Sequence, residues 1–120
     1  MTGELQKVNK IIAKITTFWY CGNVIVSYGN KLARDLVENK NSKEIRQFPA
    51  ELYRVARKKL NMLHAAKELK DLLIPPGNRL HKLHGDREGS HAISINDQWR
   101  ITFRWHDSNA LDVRVEDYHS

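Results

Sequence analysis

The hydrophobic period changes once along this chain, at Pro75-Pro76-Gly77-Asn78. Before that stop, apolar residues recur at helical spacing. Leu5, Val8, Ile11, Ile12, Ile15, Phe18 and Trp19 mark one amphipathic stretch. Asn30 is placed to cap a second, running to about Glu38 with Leu32, Ala33, Leu36 and Val37 on one face. Residues 39–43 read as a loop. Phe48, Leu52, Val55, Leu60 and Leu63 predict the clearest helix, with Pro49 in its first turn. A further helical turn covers Ala66 to Leu72. Between the first two stretches, Val24 to Tyr28 is a short β-branched run that reads as a strand. After the stop the period is two. Leu80 and Leu83 flank a short strand, and Ile93 and Ile95 alternate with Ser94 and Asn96. Trp99, Ile101, Phe103 and Trp105 alternate with Arg100, Thr102 and Arg104, and Leu111, Val113 and Val115 with Asp112, Arg114 and Glu116. Each half has one apolar face and nothing else to bury it against. The expected fold is therefore α+β, with the N-terminal helices on one face of a small, mostly antiparallel twisted sheet. The other face of the sheet is polar and open to a ligand.

At 120 residues the chain holds one domain, which excludes dinucleotide-binding dehydrogenases, barrel enzymes and kinases on size alone. Its single cysteine, Cys21, allows no disulfide within the chain and no all-cysteine zinc site. A reducing, cytoplasmic location and no membrane association are expected. The formal net charge is +6, and it is unevenly placed. Residues 31–70 carry eleven Lys and Arg against five Asp and Glu, whereas residues 71–120 hold five of the six histidines. A basic excess raises the expectation of an anionic partner such as RNA or DNA.

The polar sheet face is where chemistry is expected. Histidine titrates near neutrality and can move a proton in a rate-limiting step. Arginine can hold a phosphoryl group through two parallel hydrogen bonds. Together they suffice for cleaving RNA without a metal. A base takes the ribose 2′-OH proton, a cation stabilises the phosphorane, and an acid protonates the leaving 5′-oxygen. Candidates for acid–base work are His81, His84, Asp117, Tyr118 and His119, with Arg100 and Arg104 on the non-core side of one strand. His81 and His84 lie three residues apart, a spacing that puts them on opposite faces of a strand and argues against a shared metal. Trp99 and Trp105 share the parity of Ile101 and Phe103 and read as core. His64 reads as a packing residue at a helix end.

Several blocks occur in a recognisable order: Ala65-Ala66 with Glu68-Leu69-Lys70-Asp71-Leu72, Pro75-Pro76-Gly77-Asn78-Arg79-Leu80, Leu83-His84-Gly85-Asp86-Arg87-Glu88-Gly89, Ser94-Ile95-Asn96-Asp97-Gln98-Trp99-Arg100-Ile101-Thr102-Phe103, and the closing Glu116-Asp117-Tyr118-His119. From about Val24 to His119 the chain resembles the HigB branch of the RelE/ParE toxin superfamily. The resemblance implies a toxin of a type II toxin–antitoxin system. Such a toxin is a ribosome-dependent endoribonuclease that cuts mRNA in the ribosomal A site and uses no metal or other cofactor. It also implies a helix-turn-helix (HigA-like) antitoxin as partner, the ribosome and mRNA as targets, and operator DNA reached only through the antitoxin complex. Carried over residue by residue, the family's catalytic positions fall on His81, Arg100, Asp117, Tyr118 and His119. The family's lysine position is occupied here by His84, a departure.

The resulting expectation is that Arg100 clamps the scissile phosphate while His119 and His81 or His84 share the acid–base work. Tyr118 packs against a nucleotide, and Asp117 orients a histidine or contacts RNA. Arg54, Arg57, Lys58 and Lys59 on the helical half, with Lys82, Arg87 and Arg104, are the expected RNA and ribosome contacts. The alternatives are a ParE-like gyrase poison on the same fold and a catalytically inactive module that binds RNA or antitoxin. Residues 1–23 have no counterpart in the family domain. They read as an N-terminal extension, either an added amphipathic helix or sequence upstream of a start near Val24, the second being the expectation; the toxin domain then spans 24–120.

Overall fold

A computed structural model describes residues 25–118; the predicted helix over 5–19, Cys21 and His119 lie outside the described residues. Among the described residues, three α-helices precede the sheet: α1 (Lys31–Glu38), α2 (Lys43–Gln47) and α3 (Tyr53–Ala65). Four strands follow: β1 (His81–Lys82), β2 (Ser90–Ser94), β3 (Trp99–His106) and β4 (Asn109–Asp117). They form an antiparallel sheet in sequence order. Residues 25–28 run parallel to β4, bridging Ile25 to Ala110 and Tyr28 to Val113. The expected α+β architecture is what the chain adopts. Among the described residues no helix is long and apolar enough to cross a membrane.

The helices start where the sequence offers caps. Asn30 Oδ1 accepts from the Ala33 N–H at 3.1 Å, satisfying a donor that the first turn of α1 leaves unpaired. The same side chain reaches the sheet, donating to the Val115 carbonyl at 2.9 Å and accepting from its N–H at 3.3 Å. One asparagine thus starts the first helix and ties it to the last strand. Ser42 caps α2 in the same way, through Ile45 N–H.

Two expectations about the helical half need correction. Residues 39–43 are not all loop, because Ser42 starts α2 at Lys43. The helix predicted from Phe48 is interrupted. Phe48 is extended, Pro49 precedes a 3-10 turn at Ala50–Leu52, and α3 begins only at Tyr53. The apolar residues keep helical spacing through the break, so the period alone does not reveal it.

The core lies between helices and sheet. Leu36, Leu60, Leu63, Leu72, Ile93, Ile101, Phe103, Val113 and Val115 are each at most 1% exposed. Phe48 packs edge-on against Trp99 with centroids 4.8 Å apart, and Phe103 edge-on against Trp105 at 6.3 Å. Both tryptophans are core-side, as their parity implies. The alternation expected of β4 fails at one point. Thr102 pairs with Arg114 but Arg104 pairs with Leu111, so β4 carries one extra residue. Asp112 takes it up at φ +53, a left-handed conformation that aspartate tolerates better than most residues. The bulge shifts the phase. Ala110 rather than Leu111 faces the core, beside buried Val113 and Val115.

Candidate active site

The polar face of the sheet can be read from the register. Ser94, Arg100 and Glu116 form one cross-strand row, and His81, Ala92, Thr102 and Arg114 the next. Ser90, Arg104 and Leu111 form a third. This face is not simply open. Thr102 is fully buried, because Arg87 folds back over it and donates to its Oγ1 at 2.9 Å.

Glu116 organises the centre of the face. Its carboxylate accepts from Arg87 Nη1 at 3.0 Å and Nη2 at 3.3 Å. It also accepts from Arg100 Nη2 at 2.9 Å and Nε at 3.3 Å. The Arg100 side chain is 17% exposed and Glu116 20%. Burial alone would raise the Glu116 carboxyl, but hydrogen bonds and charge from Arg87 and Arg100 outweigh it and hold the group below the usual carboxylate range. Glu116 therefore stays ionised and fixes the plane of the Arg100 fork. Tyr118 supports the other side, with the Arg100 guanidinium 4.8 Å from its ring centroid. Sequence reasoning assigned Glu116 no role; its parity with Arg114, opposite Arg100, was the available signal.

The Tyr118 hydroxyl lies 3.4 Å from Ser94 Oγ, which also accepts from Arg79 Nε at 3.2 Å. Arg79, His81, Asp97 and Tyr118 line an open concavity of about 490 Å³. His81 Nδ1 is 2.7 Å from the Arg79 carbonyl. A carbonyl can only accept, so Nδ1 carries the hydrogen in this contact, which leaves Nε2 without it in the neutral ring. Tyr118 thus joins the histidine of β1 to the arginine of β3 across the intervening strand. Its own position is set by the hairpin between β2 and β3. Its N–H donates to the Gln98 carbonyl at 2.7 Å, and the Asp117 carboxylate accepts from the Gln98 amide at 2.7 Å. Asp117, opposite Trp99 in the register, points away from the Arg100 row.

Not every predicted site residue joins this group. His84 is exposed and, with Lys82, Glu88, Ser90 and His91, lines a different concavity of about 460 Å³. Lys82 pairs with His91, on the opposite face of β1 from His81. Among the described residues no three His, Cys, Asp or Glu side chains are arranged to hold a metal ion. Arg104 is exposed at the far end of the polar face, its guanidinium lying against Gly89.

The expected basic face of α3 also divides. Arg54, Arg57 and Lys58 border a shallow concavity of about 720 Å³ with Glu51, Val55 and Asn61. Arg57 is engaged in helix packing: its Nε donates to the Leu36 carbonyl at 3.2 Å and its Nη2 to Asn39 Oδ1 at 2.6 Å. Lys59 points the other way, and its Nζ donates to the Ser94 carbonyl at 2.5 Å. Burial, then the charges of Lys58 and Arg79, lower its affinity for the proton. His64 lies at the end of α3, where Nδ1 accepts from the Ile25 N–H at 3.3 Å.

Known proteins carry related sequences. The family model for the RelE-like toxin of the type II toxin–antitoxin system HigB matches residues 26–119. Toxin HigB-1 of Vibrio cholerae is 37% identical over 76 residues, 63% of this chain and 80% of that protein. Endoribonuclease HigB of Proteus vulgaris is 46% identical over 41 residues, 34% of this chain and 45% of that protein. An uncharacterized protein of Haemophilus influenzae is 31% identical over 74 residues, 62% of this chain and 72% of that protein. With a family match over nearly the whole described region, and a fold of helices against an antiparallel sheet, the chain belongs to the HigB-like toxins of the RelE/ParE superfamily.

Proposed function

We propose that this toxin is a ribosome-dependent endoribonuclease that cuts mRNA in the A site by metal-independent attack of a ribose 2′-OH, and so stops translation. The observation that carries this reading is the joining of His81, Tyr118 and Arg100 on one sheet face, with Glu116 holding the arginine. The relative named an endoribonuclease adds support, through a match of 41 residues.

Each group has a task that its surroundings suit. His81, with Nδ1–H committed to the Arg79 carbonyl, offers Nε2 to take or return a proton. Arg100 meets the phosphate at the centre of the face, its orientation prepaid by Glu116 and Tyr118. Its fork presents Nη1 on the edge that Glu116 does not engage. The tyrosine ring is placed for a base to stack beside it. His119 completes the pair as the second acid–base group. Asp117 holds the Gln98 hairpin, and with it the tyrosine. His84, on its separate concavity, contacts RNA rather than sharing the proton transfer with His81.

Arg54 and Lys58 of α3, with Lys82, Arg87 and Arg104, meet ribosomal or messenger RNA, and Lys59 and Arg57 act from the positions described above. A HigA-like helix-turn-helix antitoxin neutralises the toxin in the cytoplasm, and the pair binds operator DNA through the antitoxin. Primer extension on mRNA from induced cells tests the reading. Discrete, codon-linked cuts within translated messages are expected, and they vanish with Arg100→Ala. Gyrase–DNA cleavage complexes without mRNA cuts, or antitoxin binding with neither, would overturn it.

A further inference from the structure

Two cations converge on one residue beside the proposed centre, and neither is among the catalytic positions carried over from the family. Lys59, from α3, donates to the Ser94 carbonyl at 2.5 Å, and Arg79, from the turn before β1, donates through Nε to Ser94 Oγ at 3.2 Å. Ser94 is 2% exposed and contacts the Tyr118 hydroxyl; Arg79 lines the His81–Tyr118 concavity, and Lys59 is held next to it on the same serine. The two are near enough that the charge of Arg79 depresses proton binding at Lys59. Bringing like charges together costs energy, and the Asp97 carboxylate that meets Arg79 at 3.9 Å is fully exposed, so it offsets little of that cost.

Arg79 adds an independent sign. It has φ +50 and ψ +50 at the end of the Pro76–Asn78 turn. Glycine or asparagine occupies that left-handed region at lower cost. At the end of α1, the same conformation is filled by Asn39. An arginine retained in a strained conformation at a site rim points to a use for its side chain.

We propose that Lys59 and Arg79 form a second phosphate subsite, which binds the RNA phosphodiester next to the one held at Arg100. The inference rests on the RNA-cleaving reading for its ligand class. It implies that the RNA backbone crosses the sheet from the Arg100 row towards β1 and the end of α3. The subsite holds and registers the strand, and the chemistry stays with the groups on the sheet face.

The test is fluorescence anisotropy of a labelled, fully 2′-O-methylated tetranucleotide RNA against the full chain, measured over a range of salt. Such RNA lacks the attacking hydroxyl, so binding is read apart from cleavage. Lys59→Gln and Arg79→Asn are each expected to weaken binding about fivefold and to reduce the slope of log affinity against log salt by about 0.7, the value for one lost phosphate contact on a single strand. Arg79→Asn should melt no lower than wild type, since asparagine suits the backbone there. Failure of the wild type to bind, or unchanged affinity and slope in both variants, would overturn the subsite. So would weaker binding with an unchanged slope, the mark of a structural role alone. A wild type that binds in this manner but does not cut mRNA on ribosomes would instead overturn the endoribonuclease reading and leave the subsite standing.

Discussion

Replacing Glu116 with glutamine removes one negative charge from between two guanidinium groups and keeps the shape of the side chain. Arg87 and Arg100 each make two contacts of 3.3 Å or less to this carboxylate. A hydrogen bond to a charged group contributes about 1.5–3 kcal/mol net. Breaking a fully buried ion pair by removing one partner costs about 3–5 kcal/mol. Arg87 is a third exposed, so water relieves part of the stranded charge and places the loss at roughly 2–3 kcal/mol. For a domain of this size that lowers Tm by roughly 10–20 °C.

The sign with pH is fixed by the direction of the shift. The folded carboxyl titrates below its ordinary value of 4.5, so its contribution is complete above that value and is lost as pH falls through the folded one. Urea titrations of wild type and Glu116→Gln from pH 3 to 7 should show a gap that is full at pH 6–7 and shrinks below about pH 4.5. A double-mutant cycle with Arg87→Met should give positive coupling. A loss at pH 7 below about 0.5 kcal/mol, within the ordinary surface range, or a gap equally wide at pH 3, would refute the account of Glu116 as a half-buried anion clamped by two arginines.

Other consequences follow from single side chains. Asn30→Ala removes a helix cap and two bonds to β4 together, and should cost about 2–3 kcal/mol in chemical denaturation, more than a cap alone. Asn78 is fully buried and donates to the Leu72 carbonyl at 3.1 Å; Asn78→Ala should destabilise by about 1–3 kcal/mol, read as a lower midpoint in urea. His64 accepts from the Ile25 N–H, and burial lowers its pKa. Its contribution is full above the ordinary histidine value of 6.5 and is lost as pH falls through the folded one, so exchange at the Ile25 amide should lose protection below pH 6.5, and His64→Phe should remove that dependence.

The layers were legible because Pro75-Pro76-Gly77-Asn78 divides two clean periods, and burial of one face in each half leaves a single economical packing. Parity also identified Trp99 and Trp105 as core and placed Arg100 and Arg104 together. What escaped was what periodicity does not encode. The break before Tyr53 preserves helical phase. The bulge at Asp112 inserts a residue in a strand whose apolar positions still alternate on paper, so Leu111 looked buried and Ala110 did not. At the site, family motifs marked His81, Arg100 and Tyr118, which the fold joins. The same motifs contain Glu116, Ser94 and Arg79 but gave them no role, because those roles depend on cross-strand register and on a helix lysine meeting a strand end. Charge counting grouped Arg54, Arg57, Lys58 and Lys59. Consecutive helical positions point about 100° apart, which is why Lys59 reaches the sheet while Lys58 faces solvent.

The central claim is that the groups on this sheet face drive attack by the RNA's own 2′-OH. It is tested most directly on purified ribosomes carrying an mRNA with a single 2′-deoxy nucleotide at the cut position. The account predicts cleavage of the all-ribose message to a 2′,3′-cyclic phosphate end. It predicts no cleavage at the deoxy position, and a loss of at least a hundredfold in single-turnover rate with Arg100→Ala, assayed at a temperature where that variant is still folded by circular dichroism. Cleavage at the deoxy position, or a wild-type rate in Arg100→Ala, would contradict it.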